Sequence, residues 1–233
     1  MNTKKRNISK RNLNLRIKRK KRRKVKLIVS ILCGLALLTI AMTKLYNDKD
    51  QYLILVNKQN KVGYKHTPND LTVPYVRFNA SSDMDKNMRL EAANALENMF
   101  NDAERDGIIL FGISGYRSYE YQQSVYDNSV ATQGQDYTNK YVAIPGTSEH
   151  QTGLAMDVAS EGYFSLDSNF EESDAFRWLS QNMSNYGFII RYPKGKEDIT
   201  GYNYEPWHLR YVGVGPAKEI TDNGLTLEEY LER

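Results

Sequence analysis

The stretch Ser148-Glu149-His150-Gln151-Thr152-Gly153-Leu154-Ala155-Met156-Asp157, with the tetrad Glu205-Pro206-Trp207-His208 about fifty residues later, decides how this chain reads. Together they hold two of its three histidines. A catalytic zinc takes three protein ligands and leaves a fourth position open. Two neutral imidazoles and one carboxylate, those of His150, His208 and Asp157, meet that need. They leave the site near +1, Lewis-acidic enough to draw the pKa of a water towards about 7. A hydrolase of this kind also needs a carboxylate that is not a ligand, placed to accept the water's proton. Glu205 is the candidate. Residues three apart on a regular strand face opposite ways, and Pro206 argues against a helix interior. Glu205 and His208 therefore converge only if the backbone turns at Pro206-Trp207.

Plainer readings compete at each position. A lone histidine in a folded domain is most often a hydrogen-bonded core or surface residue, and that reading suits His66 in the polar stretch Tyr64-Lys65-His66-Thr67-Pro68. Trp207 reads as a packing residue, and Gly115, Gly146 and Gly153 as turn residues. The 17 tyrosines, all beyond residue 45, read by default as core and rim packing. Arg117 is different. It stands at a helix start, where a cation opposes the helix dipole, so helix stability does not explain it.

The flanking elements mix strands and helices without a regular β-α-β rhythm. Tyr52–Val56, Leu71–Phe78 (with Pro74 demoting it to an edge), Ile108–Ile113, Leu154–Ala159, Phe188–Tyr192 and His208–Val212 read as strands. A helix is expected from about Met84 to Asp106, capped by Ser82 or Asp83 and ended by Gly107. Its stripe is Met84, Met88, Leu96, Phe100 and Ala103. A second helix starts at Ser118 and stops near Gly134, before a long loop of the kind that often carries function. A third runs from Ser173 to Tyr186 and is closed by Gly187, and Thr226-x-x-Glu229 is a capping box for a short last helix. The fold class is α+β, with a small, mainly antiparallel sheet flanked by helices.

Charge divides the chain. Residues 1–26 hold 14 of the 32 Lys and Arg and no acid, leaving 18 bases against 28 acids in the remainder. The 17 residues from Leu27 to Thr43 carry no charge and are just long enough to span a bilayer core as one helix. The basic block should stay cytoplasmic and send the rest outward. Thr39–Thr43 has no A-x-A cleavage site, and Leu32 before Cys33 does not suit a lipoprotein cleavage site, so the anchor is expected to stay uncleaved. The acidity of the remainder speaks against nucleic-acid binding, and a membrane-tethered nucleic-acid binder remains a rival that a cytoplasmic C-terminal domain would favour. With a single cysteine, neither an intramolecular disulfide nor a zinc–cysteine cluster can form. The expected layout is a basic cytoplasmic tail (1–26), a transmembrane anchor (27–43), a linker (44–51) and an extracellular domain (52–233).

Taken together, Ser148-x-His150-x-x-Gly153-x-Ala155-x-Asp157 and Glu205-x-x-His208 resemble the signature of the LAS zinc peptidases. The surrounding residues Ile144–Gly153 and Glu205–Gly213 are similar to the VanY-like D-alanyl-D-alanine carboxypeptidases, a branch that includes the LdcB-type L,D-carboxypeptidases. Ser114-Gly115-Tyr116-Arg117-Ser118, with Gln122 following, matches the upstream motif of that branch. The resemblance covers about residues 52–222 and leaves out the tail and anchor. It implies an LAS-type fold, Zn2+ on His150, Asp157 and His208, Glu205 as general base, and Arg117, Gln122 and Ser148 facing substrate. A guanidinium fork also suits the free carboxylate at a chain end.

The expected activity is removal of the terminal D-alanine from peptidoglycan stem peptides by a monomeric, membrane-anchored enzyme. Rival readings are L,D-carboxypeptidase action on tetrapeptide stems, a peptidoglycan endopeptidase, and a non-catalytic zinc-containing wall-binding module. A purely structural zinc needs no spare carboxylate, so Glu205 speaks against the last. The expected partners are the stem peptide or its precursor and, through residues 27–43, the membrane.

Overall fold

A computed structural model of the chain describes residues 51–233 and, before them, the helical position Gly34. The chain divides into two units, Met1–Gln51 and Tyr52–Arg233. The basic tail, the apolar run and the linker lie outside the described residues, apart from Gly34 and Gln51. Among the described residues no helix is long and apolar enough to cross a membrane.

A two-residue pairing of β1 (Leu71–Thr72) with β2 (Met88–Arg89) precedes the main sheet. That sheet contains β3 (Leu110–Ser114), β4 (Ala155–Ser160), β5 (Phe188–Ile190) and β6 (His208–Tyr211). Its order is β3-β4-β6-β5 and every pairing is antiparallel, as expected for this α+β class. Side chains on a strand alternate between faces. Met156 and Val158 of β4 and Leu209 and Tyr211 of β6 accordingly join one core cluster. Ala92, Leu96, Met99 and Ala103 from helix α1 (Leu90–Arg105) cover that face, with Leu179 of a later helix. Asp157, His208 and Arg210 fall on the opposite face. The sheet is thus apolar on one side and carries chemistry on the other.

The remaining helices are α2 (Tyr119–Gln133), α3 (Gln135–Tyr141), α4 (Asp174–Asn182), α5 (Glu197–Thr200), α6 (Val214–Asp222) and α7 (Leu227–Leu231). Ser118 and Ser173 cap α2 and α4 by accepting from the backbone N–H of Tyr121 and Phe176. Both halves of the Thr226–Glu229 capping box form at α7.

Several elements differ from expectation for local physical reasons. Tyr52–Val56 is not a strand. The carbonyls of Tyr52 and Ile54 accept from the Arg210 guanidinium instead of a strand partner. Of Leu71–Phe78, only Leu71–Thr72 is strand, and Pro74 follows at once. The helix expected from Met84 breaks into a 3-10 turn (Met84–Lys86), β2, and α1 from Leu90. The break occurs because the Arg89 N–H bonds the Gly153 carbonyl and its strand pairs with β1. Met84 consequently stands exposed rather than on a buried stripe. The first part of the long loop after Gly134 is the short helix α3. Gly134, at φ 83°, merely turns the chain between two helices.

Gly115 has a specific steric duty. A Cβ there would meet the backbone carbonyl oxygens of Asn87 at 2.4 Å and Asp85 at 2.9 Å. The same carbonyls accept from Tyr116 N–H and Gly115 N–H at 2.7 and 2.6 Å, clamping the segment that leads to Arg117. Gly115→Ala should therefore cost about 1–3 kcal/mol of stability, as overpacking does. Urea melts read the loss, and a stability within a few tenths of a kcal/mol of wild type would contradict the clamp.

Candidate active site

The row that builds the site runs across three strands. Asp157 of β4 stands directly opposite His208 of β6 and, on its other side, opposite Ser114 at the end of β3. An irregularity between Gly112 and Ser114 brings Ser114 into this row. His150 arrives from a 3-10 turn (Glu149–Thr152) ended by Gly153 in a left-handed conformation, φ 67°. Gly153 lies against the side chains of Leu71 and Arg89, so its freedom serves the docking of β1 and β2. Pro206 and Trp207 do form a turn: the His208 N–H bonds the Glu205 carbonyl at 3.2 Å. That turn returns Glu205 to the side of His208.

Ligand atoms of His150, Asp157 and His208 all lie within 4.8 Å of one another, and all three residues are buried. Among the described residues this is the one grouping of its kind, and His66 is outside it. His150 Nδ1 bonds the Gly115 carbonyl at 2.7 Å, which leaves Nε2 facing the site. Burial and the nearby Arg117 cation push its pKa down to about 3, so the ring is neutral. Burial works against ionisation of Asp157, yet His150, His208 and Arg117 outweigh it and hold the carboxyl near 2. Burial likewise opposes a charged His208, but Asp157 and Glu149 win and raise it to about 9. Asp157 Oδ1 is buried without a hydrogen bond, although His208 Nδ1 lies only 3.1 Å away. Asp157 and His208 converge beside a neutral imidazole, and a divalent cation would take the place of the proton that the surrounding carboxylates otherwise hold on the His208 ring. Two nitrogens and a carboxylate oxygen are the donor set of a catalytic zinc.

Glu205 Oε2 sits 3.6 Å from His208 Nδ1. Burial pushes its carboxyl up to about 8, against the pull of His208. A divalent cation at the neighbouring ligands would favour the ionised form of this carboxyl, the form that accepts a proton.

Arg117 reaches the same place from the start of α2. Its Nη2 donates to Asp157 Oδ2 at 3.1 Å and lies 3.0 Å from His150 Nε2. Nη1 donates to Gln122 Oε1 at 3.0 Å, and Nε to Ser114 Oγ at 2.9 Å. The Gln122 amide nitrogen donates to the Ala143 carbonyl, so both ends of that amide are engaged. Ser148 is buried on the wall of a cavity of about 320 Å3. Arg117, Gln122, His150, Asp157, Glu205 and His208 line the same cavity. Tyr137, Tyr141, Tyr202 and Tyr204 line it as well, giving some tyrosines a role at the site rim. Trp207 lines it too while belonging to the core.

Residue types alone did not reveal three further participants. Asp85 is buried and accepts from Ser82 Oγ, Ser114 Oγ and Tyr121 OH, so it anchors the hydroxyl that Arg117 Nε holds. Glu149 and Arg210 adjoin the ligands from behind, with Arg210 fully buried. For these two the available signal was a charged residue beside a ligand: Glu149 next to His150, and Arg210 two positions along a strand from His208.

Known proteins resemble this chain in sequence and fold. Residues 85–214 match the VanY family, described as D-alanyl-D-alanine carboxypeptidase. YodJ of Bacillus subtilis (strain 168) is 50% identical over 186 residues, which span 79% of this chain and 68% of YodJ. The solved LdcB LD-carboxypeptidase superposes with a TM-score of 0.71 at 50% identity, covering 76% of this chain and 84% of that one. The vancomycin-resistance D,D-pentapeptidase VanY, solved in complex with Zn(II), gives 0.65 at 37% identity, covering 78% and 99%. With the family match spanning more than half its length and that relative covered over two thirds of its own, this chain belongs to the VanY family of D-alanyl-D-alanine carboxypeptidases.

Proposed function

We propose that this chain is a zinc-dependent D,D-carboxypeptidase that removes the terminal D-alanine from peptidoglycan stem peptides. The observation that carries the reading is the meeting, in one cavity, of His150, Asp157 and His208 with a proton-accepting carboxyl and a guanidinium. His150 Nε2, Asp157 and His208 Nδ1 would hold the zinc. When bound, zinc supplies Lewis acidity, polarising a carbonyl and easing the loss of a proton from water. Glu205 accepts that proton and later gives it to the leaving amine. Arg117 receives the substrate's terminal carboxylate through its planar fork, with Gln122 and Ser114 holding the fork in orientation. Ser148 lines the wall beside them.

A second reading concerns the bond cleaved. The LdcB LD-carboxypeptidase, at 50% identity, is nearer in sequence than the D,D-pentapeptidase at 37%. The metal ligands and Glu205 are indifferent to the residue before the terminal D-alanine. Release of D-alanine from pentapeptide and tetrapeptide stems, assayed side by side, separates the two: selective cleavage of the tetrapeptide would replace the first reading with the second.

Residues 27–43 are proposed to anchor the enzyme, with the catalytic domain outside the cell. The charge split on either side of the apolar run supports this. Protease added to intact, wall-stripped cells should digest the domain, and its protection would overturn the topology.

Roles within the site separate cleanly. Glu205→Gln should keep about one zinc per chain and lose turnover by roughly 10²-fold or more. His208→Ala should lose zinc itself. Zinc loss in step with activity in Glu205→Gln, or full occupancy after His208→Ala, would reverse the assignment. For Arg117, the measurement is cleavage of a substrate whose terminal carboxylate is amidated. Wild type should discriminate against the amide by about 10- to 150-fold in kcat/KM, the worth of a charged hydrogen bond. Arg117→Ala should lose most of that discrimination. Equal cleavage of acid and amide by wild type would favour an endopeptidase.

A further inference from the structure

Glu149 is 1% exposed, yet its carboxylate is only half used by hydrogen bonds. Oε1 accepts from Arg191 Nε at 2.6 Å and also from Arg210 Nη1. Oε2 is buried without a hydrogen-bond partner and lies 3.7 Å from His208 Nε2, another buried atom without one. An acceptor and a ring nitrogen able to donate thus face each other across a short gap. A buried carboxylate that served only to neutralise the two arginines would gain by giving each of them an oxygen. Here both arginines share Oε1, and the second oxygen is left towards the imidazole.

The histidine ring itself gives this orientation a meaning. His150 has its Nδ1 occupied by the Gly115 carbonyl and turns Nε2 to the site. His208 is reversed. Its Nδ1 lies 3.1 Å from Asp157 Oδ1 and 3.6 Å from Glu205 Oε2, while Nε2 looks away towards Glu149. A neutral imidazole offers a lone pair on one nitrogen only, and the other carries the hydrogen. For His208 to present Nδ1 to a metal, its hydrogen must be on Nε2, where Glu149 Oε2 is the group in reach.

We propose that Glu149 is a positioning residue of the zinc site: Oε2 accepts the Nε2–H of His208 and thereby commits Nδ1 to the metal. The proposal rests on the zinc reading given above. Histidine ligands typically donate their second ring N–H to a carboxylate or carbonyl, and loss of that partner weakens metal binding by about 10- to 100-fold. Arg191 and Arg210 keep the carboxylate from rotating away. Glu228 takes the other face of Arg191, at 2.9 and 2.7 Å, so two cations and two anions balance within the buried cluster.

The test uses the full chain, purified in detergent, with zinc affinity read by competition against a chelator. Glu149→Gln should bind zinc about 10- to 100-fold more weakly than wild type. Glu228→Gln disturbs the same arginine without facing the histidine, and should lose thermal stability while keeping its zinc affinity. Removal of a buried charge can stop Glu149→Gln from folding, so the wild-type chain is also read directly. Nitrogen-15 NMR of its zinc-loaded histidines should place the ring hydrogen on Nε2 of His208 and on Nδ1 of His150. A hydrogen on Nδ1 of His208, a folded Glu149→Gln with unchanged affinity, or equal loss in both variants overturns the proposal. A wild-type chain that binds no zinc overturns the zinc reading beneath it as well.

Discussion

The buried ion cluster of Glu149, Arg191, Arg210 and Glu228 is the constraint on which the rest of the catalytic face depends. Both arginines are fully buried. Taking such charges out of water is costly, and removing one member of a buried pair typically costs about 3–5 kcal/mol because its partner is left uncompensated. The cluster therefore holds together whatever supplies its members. Arg210 is on β6 and also binds the carbonyls of Tyr52 and Ile54. Arg191 follows β5, Glu228 lies on α7 and bonds Asn57, and Glu149 immediately precedes His150. One network of charges thus gathers the beginning and the end of the folded unit behind the ligand turn and strand.

A second network does the corresponding work for Arg117. The buried Asp85 carboxylate collects three hydroxyls, and one of them, Ser114 Oγ, receives Arg117 Nε. The backbone carbonyls of Asp85 and Asn87 meanwhile fasten Gly115 and Tyr116. The guanidinium is thereby aimed from both its side chain and its backbone. Preorganisation of this kind matters for a group that must meet a terminal carboxylate, since little rotational freedom remains to be lost on binding. The two networks share no residue, yet they meet at His150, whose carbonyl accepts from the Arg117 N–H at 3.2 Å and whose Nδ1 bonds the Gly115 carbonyl.

Much of this was legible in residue types and spacing, because the features concerned are local. Ser118, Ser173 and the Thr226–Glu229 box act within four residues, and the structure shows each of them capping a helix. His150, Asp157, Glu205 and His208 stood out through their unusual chemistry, and they meet in one cavity. What escaped depends on distant partners. Tyr52–Val56 has the apolar run of a strand, but an arginine more than 150 residues away takes its carbonyls. Met84–Arg89 has a helical pattern that the pairing of β1 with β2 overrides. Glu149 looks like an ordinary surface acid until two arginines from distant parts of the chain bury it.

The alignment of Ser114, Asp157 and His208 across three strands has a further consequence for how the protein reaches its native state. A slip of one position in strand pairing turns every side chain of the slipped strand to the other face. A sheet slipped by one position would send Asp157 or His208 into the apolar layer, and one slipped by two would separate the ligands along the row, so neither would own the metal cage. Ligand binding favours the state that binds it by mass action. A zinc ion held by this row would therefore proofread the sheet as well as serve the reaction, selecting the one register in which its ligands meet.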